Sequence, residues 1–378
     1  MNSTTLREVS NLSGSIGDVK QRLAQRIGGG WGSYRLGSST TVSRSSLRDF
    51  GSGATERAKE MLVSPRADRY HAEDPVYCND LVKDITVMYM EKEKQAEGQL
   101  ANDQVVVSPK YLTYQPEINE KMRMILVDWL IDVHLKFKLH SETMYLAVNI
   151  LDRYLSCVNT KQSSGTYVAR SQLQLVGITA ILLAAKYEEI WPPEVKECVH
   201  ISANTYTREE VIKMERNVCA ALSFRLTVPT PFPFLVRLLS VMEGLVHSGS
   251  LSEDYTLQLP LLRHTALFFL EHGMLDYKCL QFKSSQQANA SLFLALVTLR
   301  IKQKGGSCSF AGETIWTRQL QHYSRARVHE FKACAEAILE FVNYVPTTKY
   351  QAVRRKYSSA KYGEVAKLIM PNEVPDYW

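Results

Sequence analysis

Between Met122 and Val133 the chain reads MRMILVDWLIDV, and this stretch decides how the rest is read. Met124, Val127, Ile131 and Leu135 fall on one helical stripe, while Met122, Ile125, Leu126 and Trp129 fall on a second at i, i+3, i+4, i+7 spacing. A helix apolar on two sides either lies deep in a bundle or turns one stripe to a core and the other to a partner, and spacing alone leaves both open. The helical period persists outward from it. Segments at about 119–138, 142–157, 170–188 and 207–222 carry it, punctuated by Ser163-Ser164-Gly165 and Trp191-Pro192-Pro193. Asn204 to Thr207 offers capping side chains ahead of Glu209-Glu210, whose charges suit a helix N-terminus.

Pro229, Pro231 and Pro233 cannot continue a helix, so a domain boundary is expected there. A second helical series follows at about 233–246, 253–274, 283–303 and 325–344. Leu175 to Ala185 (LVGITAILLAA) and Gln286 to Leu296 (QQANASLFLAL) are each third in their series, small-rich and apolar nearly all round, as a helix buried on most sides must be. No period-2 runs argue for a sheet. The expected fold is all-α, with two similar five-helix domains. Residues 1–53 contain 24 Gly, Ser and Thr and bury too little apolar surface to offset the entropy of ordering. The expected division is an arm at 1–73, an N-terminal helix and linker at 74–118, domains at 119–227 and 228–345, and a tail at 346–378. In the N-terminal helix Val76, Leu81, Ile85, Met88 and Tyr89 recur at roughly helical spacing.

With 378 residues, 45% hydrophobic and 22% charged, the chain is long enough for two proper cores. Lys and Arg number 45 against 39 Asp and Glu, but residues 1–70 hold 11 of the bases and only 6 of the acids. The remainder is nearly neutral, which argues against nucleic-acid binding. No membrane role is expected, because the apolar run Leu175 to Ala185 falls short of the ~20 residues that span a bilayer, and the first 30 residues lack a secretory core. Seven cysteines without a CxxC pair read as reduced, mostly buried thiols. Gly28-Gly29-Gly30-Trp31-Gly32 has no Lys-Ser/Thr and makes no phosphate loop. Glu197-x-x-His200 has no second copy to complete a di-metal site, and adjacent Glu188 and Glu189 face different ways on a helix. A binding module without metal or cofactor is therefore expected, rather than an enzyme.

The segments MRMILVDWLIDVHLKFKLHSETMYLAVNILDRYL, LQLVGITAILLAAKYEEIWPPEV and NTYTREEVIKMERNVCAALSFRL resemble the cyclin box of mitotic A- and B-type cyclins almost without gaps. MLDY at Met274 to Tyr277 is similar to the B type, and the resemblance covers about 75–345. It implies two five-helix cyclin folds, an N-terminal helix packed beside the first, and a cyclin-dependent kinase that the chain activates for entry into mitosis. It implies that Lys186 and Glu215 grip the kinase around its C helix, with Glu188 and Glu189 helping to order the activation segment. Met122, Ile125, Leu126, Trp129 and Gln174 resemble the patch that docks Arg-x-Leu motifs of substrates and inhibitors, with Asp132 meeting the motif's basic residue. Met124 replaces a common Ala on the core stripe, which implies local repacking. Arg237 and Arg263 fall on two positions of a B-type phosphate pocket, and Leu267 stands where Lys is common. RSSLRDFGS, with Arg44, Leu47, Asp49 and Phe50, resembles a destruction box read by a ubiquitin ligase of the anaphase-promoting type. Ser64 and Ser108 precede prolines as minimal phosphorylation sites. A nuclear and cytoplasmic location is expected. The competing readings are a cyclin-fold transcription factor that binds DNA, disfavoured by the neutral body, and a helical-bundle enzyme, which would need a metal or cofactor.

Overall fold

Asn119 opens the helix that carries the deciding stretch, its side chain accepting from the Met122 N–H at 3.0 Å, and Lys138 closes it in the left-handed conformation at φ 55°. In this computed structural model the described residues are 81–98, 107–157, 167–249, 258–306 and 315–375, with Ala67, Asp68, Tyr70, His71, Glu73, Tyr77 and Cys78 ahead of them. All lie in one compact unit, Gly53–Trp378. After α1 (Val82–Gly98) come two series of five helices. The first is α2 (Glu120–Phe137), α3 (Ser141–Cys157), α4 (Leu173–Glu188), α5 (Val195–Ile201) and α6 (Arg208–Ala221). The second is α7 (Pro231–His247), α8 (Leu259–Leu275), α9 (Ser284–Gln303), α10 (Arg318–Ser324) and α11 (Val328–Tyr344). A short α12 (Ala352–Tyr357) follows.

The third helix of each series is its buried centre. Leu175 to Ala185 are all buried in α4, and so are Ala288 to Leu299 in α9. Gly177 lets α2 approach α4, since a Cβ there would lie 2.8 Å from Leu126 Cδ1. Thr207 caps α6 in a reciprocal box with Glu210. The second series starts two residues earlier than the prolines suggest: Pro231 sits in the first turn of α7, where a missing N–H costs nothing.

The two bundles are riveted by a buried charge. Arg123 of α2 donates through Nε and Nη2 to both oxygens of Asp152 on α3, each at 2.7 Å, and through Nη1 to the Met274 and Leu275 carbonyls that end α8. Tyr111 adds a 2.8 Å bond to Asp152. Tyr145 of α3 stacks on Phe232 of α7. The N-terminal helix does not sit beside the first bundle alone: Tyr89 faces Phe234 of α7, and Glu93 accepts from the N–H and hydroxyl of Ser285 at the start of α9. Its buried face is Thr86 and Val87, whereas Leu81, Ile85 and Met88 are exposed. The stretch after 345 is folded onto both bundles. Asp128 accepts from the Ala352 N–H, Arg355 pairs with Asp132, and Lys356 and Tyr357 both reach Glu271 of α8.

Candidate functional site

Lys186 occupies the last turn of α4, where the carbonyl end of a helix favours a cation, and Glu215 faces it from α6. Nζ and Oε1 are 2.5 Å apart, with Lys186 exposed and Glu215 half-buried. The chain that follows each partner carries large exposed apolar side chains: Tyr187, Ile190 (87% exposed) and Trp191 (83%) after Lys186, and Phe224 (74%) just past the end of α6. The backbone holds Phe224 outward at a cost, since Ser223 and Phe224 both have positive φ, a strained choice for L-residues. Large apolar side chains left exposed suit an interaction face. Cys198 and Cys219 flank the pair, and burial pushes their thiols up, that of Cys198 to about 12, which disfavours the thiolate at both.

The neighbouring carboxylates divide. Glu189 turns inward and accepts from the His140 N–H at 2.7 Å and the Thr143 hydroxyl at 2.5 Å, tying the end of α4 to the start of α3. Glu188 remains half-buried, and burial, then Glu142 and Glu189, raise its carboxyl above the usual range.

On α2 the second apolar stripe is divided by depth. Ile125 is 48% exposed, Met122 and Trp129 are half-buried, as is Gln174 of α4, and Leu126 is buried against Gly177 of that helix. On the other stripe Val127 and Ile131 are buried and Met124 and Leu135 half-buried. Asp132, one turn beyond Trp129, is engaged by Arg355 Nη2 at 2.9 and 2.6 Å.

Arg237 lies on α7 with its side chain only 10% exposed. Its guanidinium meets Asp68 at 2.6 and 3.2 Å, contacts the Tyr77 hydroxyl and lies over the Tyr323 ring. Arg263 is exposed on α8, and Leu267 is buried in the core. The Ser108 N–H donates to Ser156 Oγ, while its hydroxyl accepts from the Lys110 N–H. Ser64 and the destruction-box positions Arg44, Leu47, Asp49 and Phe50 lie outside the described residues. Glu197 is spent in the capping box of α5, and among the described residues no group of His, Cys, Asp or Glu converges as a metal site. Sequence reading missed the Arg123 rivet, Asp68 and Arg355. An arginine inside the apolar run MRMIL is the one local signal that pointed to the first.

Residues 88–227 match the family model for the cyclin N-terminal domain and residues 229–371 that for the cyclin C-terminal domain. A G2/mitotic-specific cyclin of Glycine max is 40% identical over 258 residues, covering 68% of this chain and 88% of that protein. The G2/mitotic-specific cyclin-1 of Antirrhinum majus is 34% identical, over 84% of this chain and 58% of its own length. The G2/mitotic-specific cyclin-B of Dictyostelium discoideum is 36% identical, over 81% and 61%. The match thus spans about three fifths of the last two relatives. Among solved structures, a viral cyclin from herpesvirus saimiri covers 70% of this chain and 96% of its own at 18% identity, with a TM-score of 0.49. The chain belongs to the cyclin family, as a two-domain cyclin of the mitotic B type.

Proposed function

We propose that this cyclin binds and activates a cyclin-dependent protein kinase and controls entry into mitosis. The observation that carries the reading is the Lys186–Glu215 pair, with exposed Tyr187, Ile190, Trp191 and Phe224 in the chain segments that follow its two helices. An active kinase needs a Glu of its C helix paired with the Lys of its third strand. A rigid partner that holds that helix inward completes the site without touching substrate. A face that combines a polar pair with uncovered apolar side chains suits such a partner, because the apolar side chains supply burial and the pair fixes orientation. Glu188 is free to face the activation segment, whereas Glu189 acts through the fold of α3 and α4.

In the same reading, Met122, Ile125, Trp129 and Gln174, with buried Leu126, dock Arg-x-Leu segments of substrates and inhibitors, with Asp132 at the edge. Arg237, with Arg263, serves as a cation of a phosphate-binding site. The arm from Arg44 to Phe50 directs destruction through a ubiquitin ligase of the anaphase-promoting type, and the protein works in nucleus and cytoplasm. Affinity purification of the full chain from mitotic cells, with identification of the kinase that accompanies it, tests the reading. Recovery without any kinase would refute it.

A further inference from the structure

Arg237 belongs to the second bundle, yet the carboxylate on it does not. Asp68 and the Tyr77 hydroxyl come from residues ahead of α1, and the described ones among them, here called the strap, meet α7. Among the described residues Asp68 is the only carboxylate on this guanidinium, whose other neighbours are Tyr77 and the Tyr323 ring. The strap is seated at three further points. The Ala67 carbonyl rests where a Cβ on Gly244 would stand, 2.2 Å away. His71 Nε2 lies 3.1 Å from the Ser240 carbonyl, and Tyr70 stacks on His247 at 4.1 Å.

A buried guanidinium held by a two-oxygen acid from a peripheral segment has the chemistry of an anion site with its anion supplied in advance. We propose that Asp68 is a built-in occupant of the Arg237 site, so that a phosphorylated peptide enters only when the strap lifts. The inference rests on the phosphate-site reading given above and adds its regulation. A phosphate group brings nearly two charges and three acceptor oxygens where the carboxylate brings one charge and two, so it outcompetes Asp68 at an open site. The apparent affinity of the closed protein is reduced by the fraction of time the strap is away.

The structure supplies two independent ways to release the strap. Asp68→Asn weakens its charge contact. Gly244→Ala fills its seat while raising the helix propensity of α7, so the bundle itself is kept. The probe is a dye-labelled phosphoserine decapeptide, otherwise Gly and Ser, beside its unphosphorylated twin, titrated onto the full chain. Hydrogen exchange over 67–77 reports the strap in the same samples. Both variants should show faster exchange there and bind the phosphopeptide at least about tenfold more tightly than wild type. Adding Arg237→Gln to either should abolish the gain. Released strap with unchanged affinity, or a strap that stays protected in both variants, overturns the inference. If instead Arg237→Gln changes binding in no background, the phosphate-site reading itself falls.

Discussion

Replacing Arg123 by Met should cost this protein about 3–5 kcal/mol, the range for removing one partner of a buried ion pair. The guanidinium is fully buried and makes four charge-assisted bonds: two to Asp152 at 2.7 Å, and two to the Met274 and Leu275 carbonyls at 3.2 and 3.0 Å. Met fills much of the stem volume, so little of the loss is cavity. What remains is a buried Asp152 carboxylate held only by Tyr111 and two carbonyls at the end of α8 without their donor. Against the ~5–15 kcal/mol that stabilises a typical folded protein, this is a large fraction. Because Arg123 reaches from the first bundle to the second, the variant should also unfold in two steps, and the wild type in one. Urea unfolding followed by far-UV circular dichroism measures both, with midpoint and slope read separately. A variant within about 0.5 kcal/mol of wild type, unfolding in one step, would refute the idea that this side chain joins the bundles.

His272 is buried with its ring against Phe268, and burial holds its imidazole down at about 4. The unfolded chain takes up that proton from about pH 6.5 downward. Stability should therefore fall as pH drops from 6.5 to 4, by up to roughly 3 kcal/mol, and His272→Phe should remove that part of the slope. Parallel pH curves for the two proteins would count against it. Ile125→Asp, at an exposed position, should leave the melting temperature nearly unchanged yet abolish the preference for long substrates bearing Arg-x-Leu, whereas Leu126→Ala should cost about 2–5 kcal/mol as a core truncation. Equal kcat/KM ratios for long and short substrates in wild type and Ile125→Asp would remove the docking role. Arg44→Ala with Leu47→Ala should prolong the lifetime of the protein in mitotic extract without altering kinase binding, and an unchanged half-life would mark the box as a chance match.

The long helices were legible because periodicity needs length. α2, α3, α4, α6, α9 and α11 each span fourteen residues or more and carry their own caps or apolar faces. VKECVHI in α5, RQLQHYS in α10 and AVRRKY in α12 are six or seven residues long, too short to show a period. Of the expected N-terminal stripe, Leu81, Ile85 and Met88 are exposed and Tyr89 alone among the described members meets the body, because the helix is held through Tyr89 and Glu93 to Phe234 and Ser285 far along the chain. Apolar patterning also hides buried charge. Arg123 counts as polar in any binary reading, though its carboxylate lies 29 residues away. The pairs Asp68–Arg237 and Asp132–Arg355 close over 169 and 223 residues, distances across which no local pattern carries information. Lys186 and Glu215 were found by family resemblance and not by spacing, since two helix charges 29 residues apart look like any solvated pair.

The most direct test of kinase activation is the activity of a purified, monomeric cyclin-dependent kinase on a short peptide as this chain is titrated in. Activity should rise from near zero and saturate at one chain per kinase. Lys186→Ala or Glu215→Ala should weaken the half-saturation point by about 30-fold or more, as loss of one side of a desolvated polar contact worth about 2–5 kcal/mol requires. Absence of activation across a panel of such kinases, or equal activation by wild type and both variants, would contradict it.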